Sequence, residues 1–111
     1  MVNITITKMY IHSSQTMVDI RIQGHANSDV YGKDLVCAGV STIAYGFMNY
    51  LNHLYSNQLM ETKDEKGDIE MKYYYYDNDK RIQGALDLFV ISMETLSSNY
   101  NDYVSVSCVE V

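Results

Sequence analysis

Apolar and polar residues alternate strictly in two stretches near the N-terminus. Val2, Ile4 and Ile6 are separated by Asn3, Thr5 and Thr7, and Val18, Ile20 and Ile22 by Asp19, Arg21 and Gln23. A period of two is the mark of a half-buried strand. The stretch His12-Ser13-Ser14-Gln15 between them fits a hairpin connection. From Leu35 to about Tyr55 the period lengthens: Val36, Val40, Ile43, Phe47, Leu51 and Leu54 fall at steps of three and four, one stripe of a helix. Leu59 to Lys63 and Asp68 to Tyr76 read as a second hairpin, turned at Glu65-Lys66-Gly67-Asp68. Ile82, Leu86, Phe89, Met93, Leu96 and Tyr100 restore the helical spacing. Tyr103 to Val111 closes the chain as a strand, with Val104, Val106 and Cys108 on one face and Cys108 expected in the core. The order ββαββαβ predicts an α+β, two-layer fold: one mixed sheet with both helices packed on one face. Strand order does not follow from the pattern.

At 111 residues, 47% of them hydrophobic, the chain is long enough for one core and too short for two ordinary ones, so a single domain over residues 1–111 is expected. The formal net charge of −6 argues against a nucleic-acid-binding surface, which draws its affinity from clustered Lys and Arg. The tyrosine run from Tyr73 to Tyr76 therefore reads as strand residues alternating between core and surface rather than as a platform for bases. Neither a basic n-region nor an apolar h-region opens the chain, and no apolar run approaches a membrane span, so a cytoplasmic protein with no membrane partner is expected. Thiols stay reduced there, and Cys37 and Cys108 are read as free. Cofactors and metals are not expected: no C-x-x-C is present, and His12, His25, His53, Cys37 and Cys108 lack ligand spacing. His53 falls near the end of the first helix, where its charge suits the terminus.

Chemistry concentrates between Gly24 and Ser41. Gly24-His25-Ala26 leads through a short polar stretch to Gly32-Lys33-Asp34-Leu35-Val36-Cys37-Ala38-Gly39-Val40-Ser41, which brings an imidazole and a thiol to a helix start. A thiol becomes an effective nucleophile when its thiolate is favoured, and a histidine or the positive end of a helix does that. Asp34 stands where an N-cap belongs, which puts Cys37 in the first turn and lets the amides of Cys37 and Ala38 serve an oxyanion. Asp34 has two readings, a structural cap or the group that orients His25. Ser41, four residues after Cys37, lies on the same helix face, its hydroxyl bonded back to the Cys37 carbonyl or packed beneath the site. Gly24 and Gly32 bracket a segment that is either a hinged lid carrying His25 or an ordinary connection. Taken alone, one His and one Cys twelve positions apart also fit a buried, inert thiol.

The run G-H-A followed by Y-G-K-D-L-V-C-A-G-V-S closely resembles the bacterial ribosomal-processing cysteine protease family, Prp, and the likeness extends to chain length and element order. That resemblance implies a peptidase that removes a short N-terminal extension from a large-subunit ribosomal protein. It implies Cys37 as nucleophile, His25 as general base, Asp34 and Ser41 as the motif's aspartate and serine, and a mobile loop beginning at Gly24. It implies also a homodimer, a ribosomal protein precursor as partner and no cofactor. Two rival readings use the same residues: a module that binds the precursor or the ribosome without cutting, with Cys37 structural, and a thiol-based redox or acyl-transfer enzyme.

Overall fold

The computed structural model describes residues 1–11, 13–24, 33–55, 60–65 and 67–111, with Lys33, Asp34 and Met60 described in backbone only. Its elements are β1 (Val2–Ile11), β2 (Gln15–Gln23), α1 (Lys33–Tyr55), β3 (Met60–Glu65), β4 (Asp68–Tyr76), α2 (Lys80–Asn99) and β5 (Val104–Glu110). The five strands form one sheet in the order β3-β4-β2-β1-β5. Every neighbouring pair is antiparallel except β1 and β5, which run parallel, so the sheet is mixed. The first hairpin is longer than the alternation predicts. Pairing continues to Ile11↔Gln15, and Ser13 and Ser14 complete the turn with φ of 72° and 59°.

One face of the sheet builds the core. Val2, Ile4, Ile6, Val18, Ile20, Ile22, Met71, Tyr73, Tyr75 and Val104 meet Val36, Val40, Ala44, Phe47 and Leu51 from α1 and Ile82, Leu86, Phe89 and Met93 from α2. Phe47 holds the two layers and both helices together, with ring centroids 5.8 Å from Tyr73 and 5.0 Å from Phe89. The tyrosine run alternates as a strand requires: Tyr73 and Tyr75 are buried, Tyr74 and Tyr76 exposed.

The opposite face is a lattice of charge. Arg21 lies between Thr5 and Glu70 in register, and Glu70 faces Lys63; in the next row Asp19 faces Lys72, which faces Glu61. Opposite charges across strands favour this pairing by a few tenths of a kcal/mol each, about 0.2–1. Arg21 Nε stands 3.5 Å from Glu70 Oε2. Asp19 is the misfit: burial first, then the Glu70 carboxylate, raise its pKa, and its Oδ1 is buried without a partner among the described residues.

Helix α2 starts on an N-cap, Asp79, which accepts from the Arg81 and Ile82 amides. Asp79 also accepts from the Tyr55 hydroxyl at 2.8 Å, tying the end of α1 to the start of α2. Burial, then this bond, hold the Tyr55 phenol well above its usual range. The Asp79 carboxyl is itself held low: burial acts against this, but the bonds from Tyr55, Arg81 and the Ile82 amide outweigh it.

The core position expected for Cys108 is not found. It shares a face with Ile6, its register partner, but is exposed, because β5 is an edge strand and an open cavity, rather than packed side chains, lies between Cys108 and Asp87, Val90 and Ile91 of α2. Burial of part of the side chain, followed by Glu94, raises the Cys108 thiol pKa.

Candidate active site

Helix α1 begins at Lys33, one residue before the expected Asp34 cap. The apolar stripe does not mark this start, because Lys33 and Asp34 form a polar first turn ahead of Val36, the first buried residue. Asp34 thus has helical backbone and sits at the positive end of the dipole rather than at the cap. The reading of its side chain lies outside the described residues. Cys37 opens the second turn, not the first. Its amide and that of Ala38 then take the carbonyls of Lys33 and Asp34 as helical partners, leaving the amides of Lys33, Asp34 and Leu35 without a helical carbonyl. Because the Cα–Cβ bonds of a helix tilt toward its N-terminus, the Cys37 side chain sets out toward that first turn. Oxyanion donors are therefore better sought one turn earlier than the sequence places them.

Cys37 is free and half-buried, Ser41 is half-buried one turn further on, and Ala38 is exposed. Helical phase decides which way this flank looks. Val36, Val40, Ala44, Phe47 and Leu51 face the sheet, whereas Cys37, Ser41 and Tyr45, spaced by four, lie to one side of that stripe. Tyr45 donates to both carboxylate oxygens of Asp64 at 2.9 Å, so this flank overlooks β3. The bond to Asp64 raises the Tyr45 phenol pKa, with burial adding to it. Neither Tyr45 nor Asp64 stands out in the sequence, where an isolated Tyr and an acidic strand carry no signal of contact.

The other flank of α1 faces α2. A groove of about 580 Å³ runs there, lined among others by Ile43, Gly46 and Tyr50 of α1 and Gly84, Leu88 and Ser92 of α2. Cys37 is not part of it. At Gly39 the helices approach closely: a Cβ there would lie 3.2 Å from a Leu96 methyl, so α2 braces α1 two residues from the sulfur.

Gly24 anchors the segment that carries His25. Its φ is +108°, a conformation L side chains rarely adopt, and a Cβ would fall 2.2 Å from the Met1 carbonyl oxygen. Its amide donates to the Gly67 carbonyl at 3.0 Å, which fixes the root of the segment against the β3–β4 turn. His25 and Gly32 lie outside the described residues, as does the lid reading of the segment between them. Among the described residues no three His, Cys, Asp or Glu side chains group to hold a metal ion, and no helix is long and apolar enough to cross a membrane.

The model of the family "Cysteine protease Prp" matches residues 1–105. The chain belongs to the Prp cysteine protease family. Among curated relatives, the ribosomal processing cysteine protease Prp of Staphylococcus aureus is 27% identical over 96% of this chain and 98% of its own. The Bacillus subtilis protein of the same name is 26% identical, over 82% and 85%. Solved Prp structures share the fold. The S. aureus protease with a covalently linked product peptide matches at a TM-score of 0.70 and 25% identity, over 95% of this chain and 98% of its own. A Streptococcus mutans protein matches at 0.74 and 23%, over 100% and 96%.

Proposed function

We propose that this Prp family member is a cysteine endopeptidase that removes the N-terminal extension of a large-subunit ribosomal protein precursor, as a single domain over residues 1–111. The observation that carries the reading is the position of Cys37: a free, half-buried thiol that opens the second turn of α1, one turn after the helix start, in a chain matching the family model over residues 1–105. His25 takes the proton from Cys37, and the sulfur attacks the scissile carbonyl. The oxyanion is held by amides of the first turn of α1. The amine leaves with the proton from His25, and water, activated by His25, hydrolyses the thioester. The S. aureus relative holding a covalently linked product peptide supports a covalent route. Asp34 either supports the helix start or orients His25, and Ser41 supports the sulfur from one turn on. Gly24 and Gly32 are the candidate hinges of the segment that carries His25. The enzyme acts in the cytoplasm, as a homodimer, without cofactor, and its net charge of −6 suits a basic substrate.

A peptide spanning the extension junction, incubated with wild type, Cys37→Ala and His25→Ala, tests this. Cutting by wild type alone, with an acyl-enzyme mass trapped on Cys37, is expected. Cleavage surviving in Cys37→Ala refutes the mechanism, and tight binding without cutting by wild type favours the binding-module reading.

A further inference from the structure

Resting on that reading, we propose that the substrate docks as an added strand on the outer edge of β3, where α1 presents Cys37, and that the edge selects a peptide segment carrying Lys or Arg. The sheet ends in two edges, β3 and β5. Of the two, β3 is the edge that α1 meets, through the Tyr45 bond to Asp64, on the flank along which Cys37 lies two turns nearer the helix start; β5 lies across the sheet beyond β1, next to α2. The interhelical groove opens on the opposite flank of α1 and does not include the sulfur.

The register gives the edge its polarity. Glu65 pairs with Asp68 across the two-residue connection Lys66-Gly67, so that pair and every second one, Lys63↔Glu70 and Glu61↔Lys72, exchange hydrogen bonds within the hairpin. Thr62 and Asp64 then turn their backbone N–H and C=O groups outward, where an extended peptide can take them.

Edge strands guard against indiscriminate pairing with charge, and β3 does so with a bias. Residues 61 to 65 are all exposed and carry three carboxylates, Glu61, Asp64 and Glu65, against one ammonium. That ammonium, Lys63, is drawn to Asp68 at 3.0 Å and Glu65 at 3.7 Å. Such an edge repels an acidic strand and favours a basic one, so one charge pattern serves both exclusion and recognition.

Thr62→Pro is the direct test. It removes one outward N–H, and Pro is tolerated on an edge strand when that N–H is not part of the ladder. For a Thr62→Pro protein with an unchanged Tm, and with Cys37 alkylated by iodoacetamide in a separate sample as fast as in wild type, KM of the unmodified enzyme for the junction peptide is expected to rise roughly tenfold, with kcat little altered, from the lost backbone bond. Independently of any variant, methylating single backbone nitrogens along the peptide is expected to weaken cleavage by wild type at every second position. Replacing the peptide's basic residues by Glu is expected to raise KM, with Glu61→Lys/Glu65→Lys reversing that preference. Wild-type kinetics in Thr62→Pro, or losses without alternation along the peptide, overturn the strand-addition inference while leaving the peptidase reading intact. A wild type that does not cut the peptide overturns both.

Discussion

Replacing Gly24 by Ala sets two independent penalties against one methyl group. The first is conformational: at φ +108° an L residue is outside its populated regions, at a cost of about 1–3 kcal/mol. The second is steric. A Cβ would sit 2.2 Å from the Met1 carbonyl oxygen, about 1 Å inside van der Waals contact, so one backbone must move. Met1 cannot yield freely, because Val2, next to it, is buried and its amide donates to the Tyr103 carbonyl at 2.8 Å. Moving residue 24 instead strains the bond from its amide to Gly67. Together these place the cost at about 2–4 kcal/mol, or about 10–25 °C in Tm for a domain of this size. The same substitution at Gly46 has the opposite sign. That position is in α1, a Cβ there meets nothing within 4 Å, and Ala is the better helix former, so a gain of about 0.5–1 kcal/mol is expected. Thermal and urea unfolding of both variants, read by circular dichroism, give the comparison. Gly24→Ala should also lose cleavage under conditions where it remains folded, since it moves the root of the segment carrying His25. A Gly24→Ala protein as stable as wild type would refute the reasoning.

Other outcomes follow from single contacts. Tyr55→Phe removes the bond to the cap of α2 and should cost about 0.5–1.5 kcal/mol in urea unfolding. Asp79→Ala removes the cap as well as that partner, and should cost more than Tyr55→Phe, about 1–3 kcal/mol. Asp19→Asn should raise Tm at pH 7 and leave it unchanged at pH 3. The folded-state pKa of Asp19 is raised, so the folded protein binds this proton more tightly than the unfolded chain. The stability that proton confers is present below the unfolded value near 3.8 and is lost as pH rises through the higher folded value, leaving a penalty at neutrality that Asn removes.

The layered fold is legible because period and burial coincide. The central residues of the α2 stripe, Ile82, Leu86, Phe89 and Met93, are all buried, and the strand alternation sorts Tyr73 and Tyr75 from Tyr74 and Tyr76. Legibility fails at the margins. The first hairpin outruns its apolar pattern because Met9 to Ile11 and Gln15 to Met17 pair through the backbone, which is blind to side-chain polarity. The apolar pattern places the start of α1 late because a helix that projects past the core begins with polar residues.

The two cysteines show where pattern reading stops. Cys108 continues the alternation of Val104 and Val106, and a strand pattern cannot say that it lies on the outermost strand, which is a property of sheet order. Its thiol pKa is raised by burial and Glu94, a setting that opposes thiolate chemistry. Cys37 breaks the pattern instead. It falls between turns of the stripe Val36, Val40, Phe47 and Leu51, so the phase of α1 already excludes it from the core and puts it on one flank with Ser41 and Tyr45. Only the sheet order and the Tyr45 bond to Asp64 reveal that this flank meets an open strand edge rather than α2. A thiol displaced from its helix's apolar stripe toward an edge strand has access to an extended peptide, whereas one in register with the stripe would be sealed beneath it. Exchanging Cys37 with its neighbour, as Val36→Cys/Cys37→Val, therefore keeps a thiol at the helix start but turns it toward the sheet. That variant should react slowly with iodoacetamide and cut no peptide; alkylation of the relocated thiol faster than unfolding would mean that helical phase does not control access.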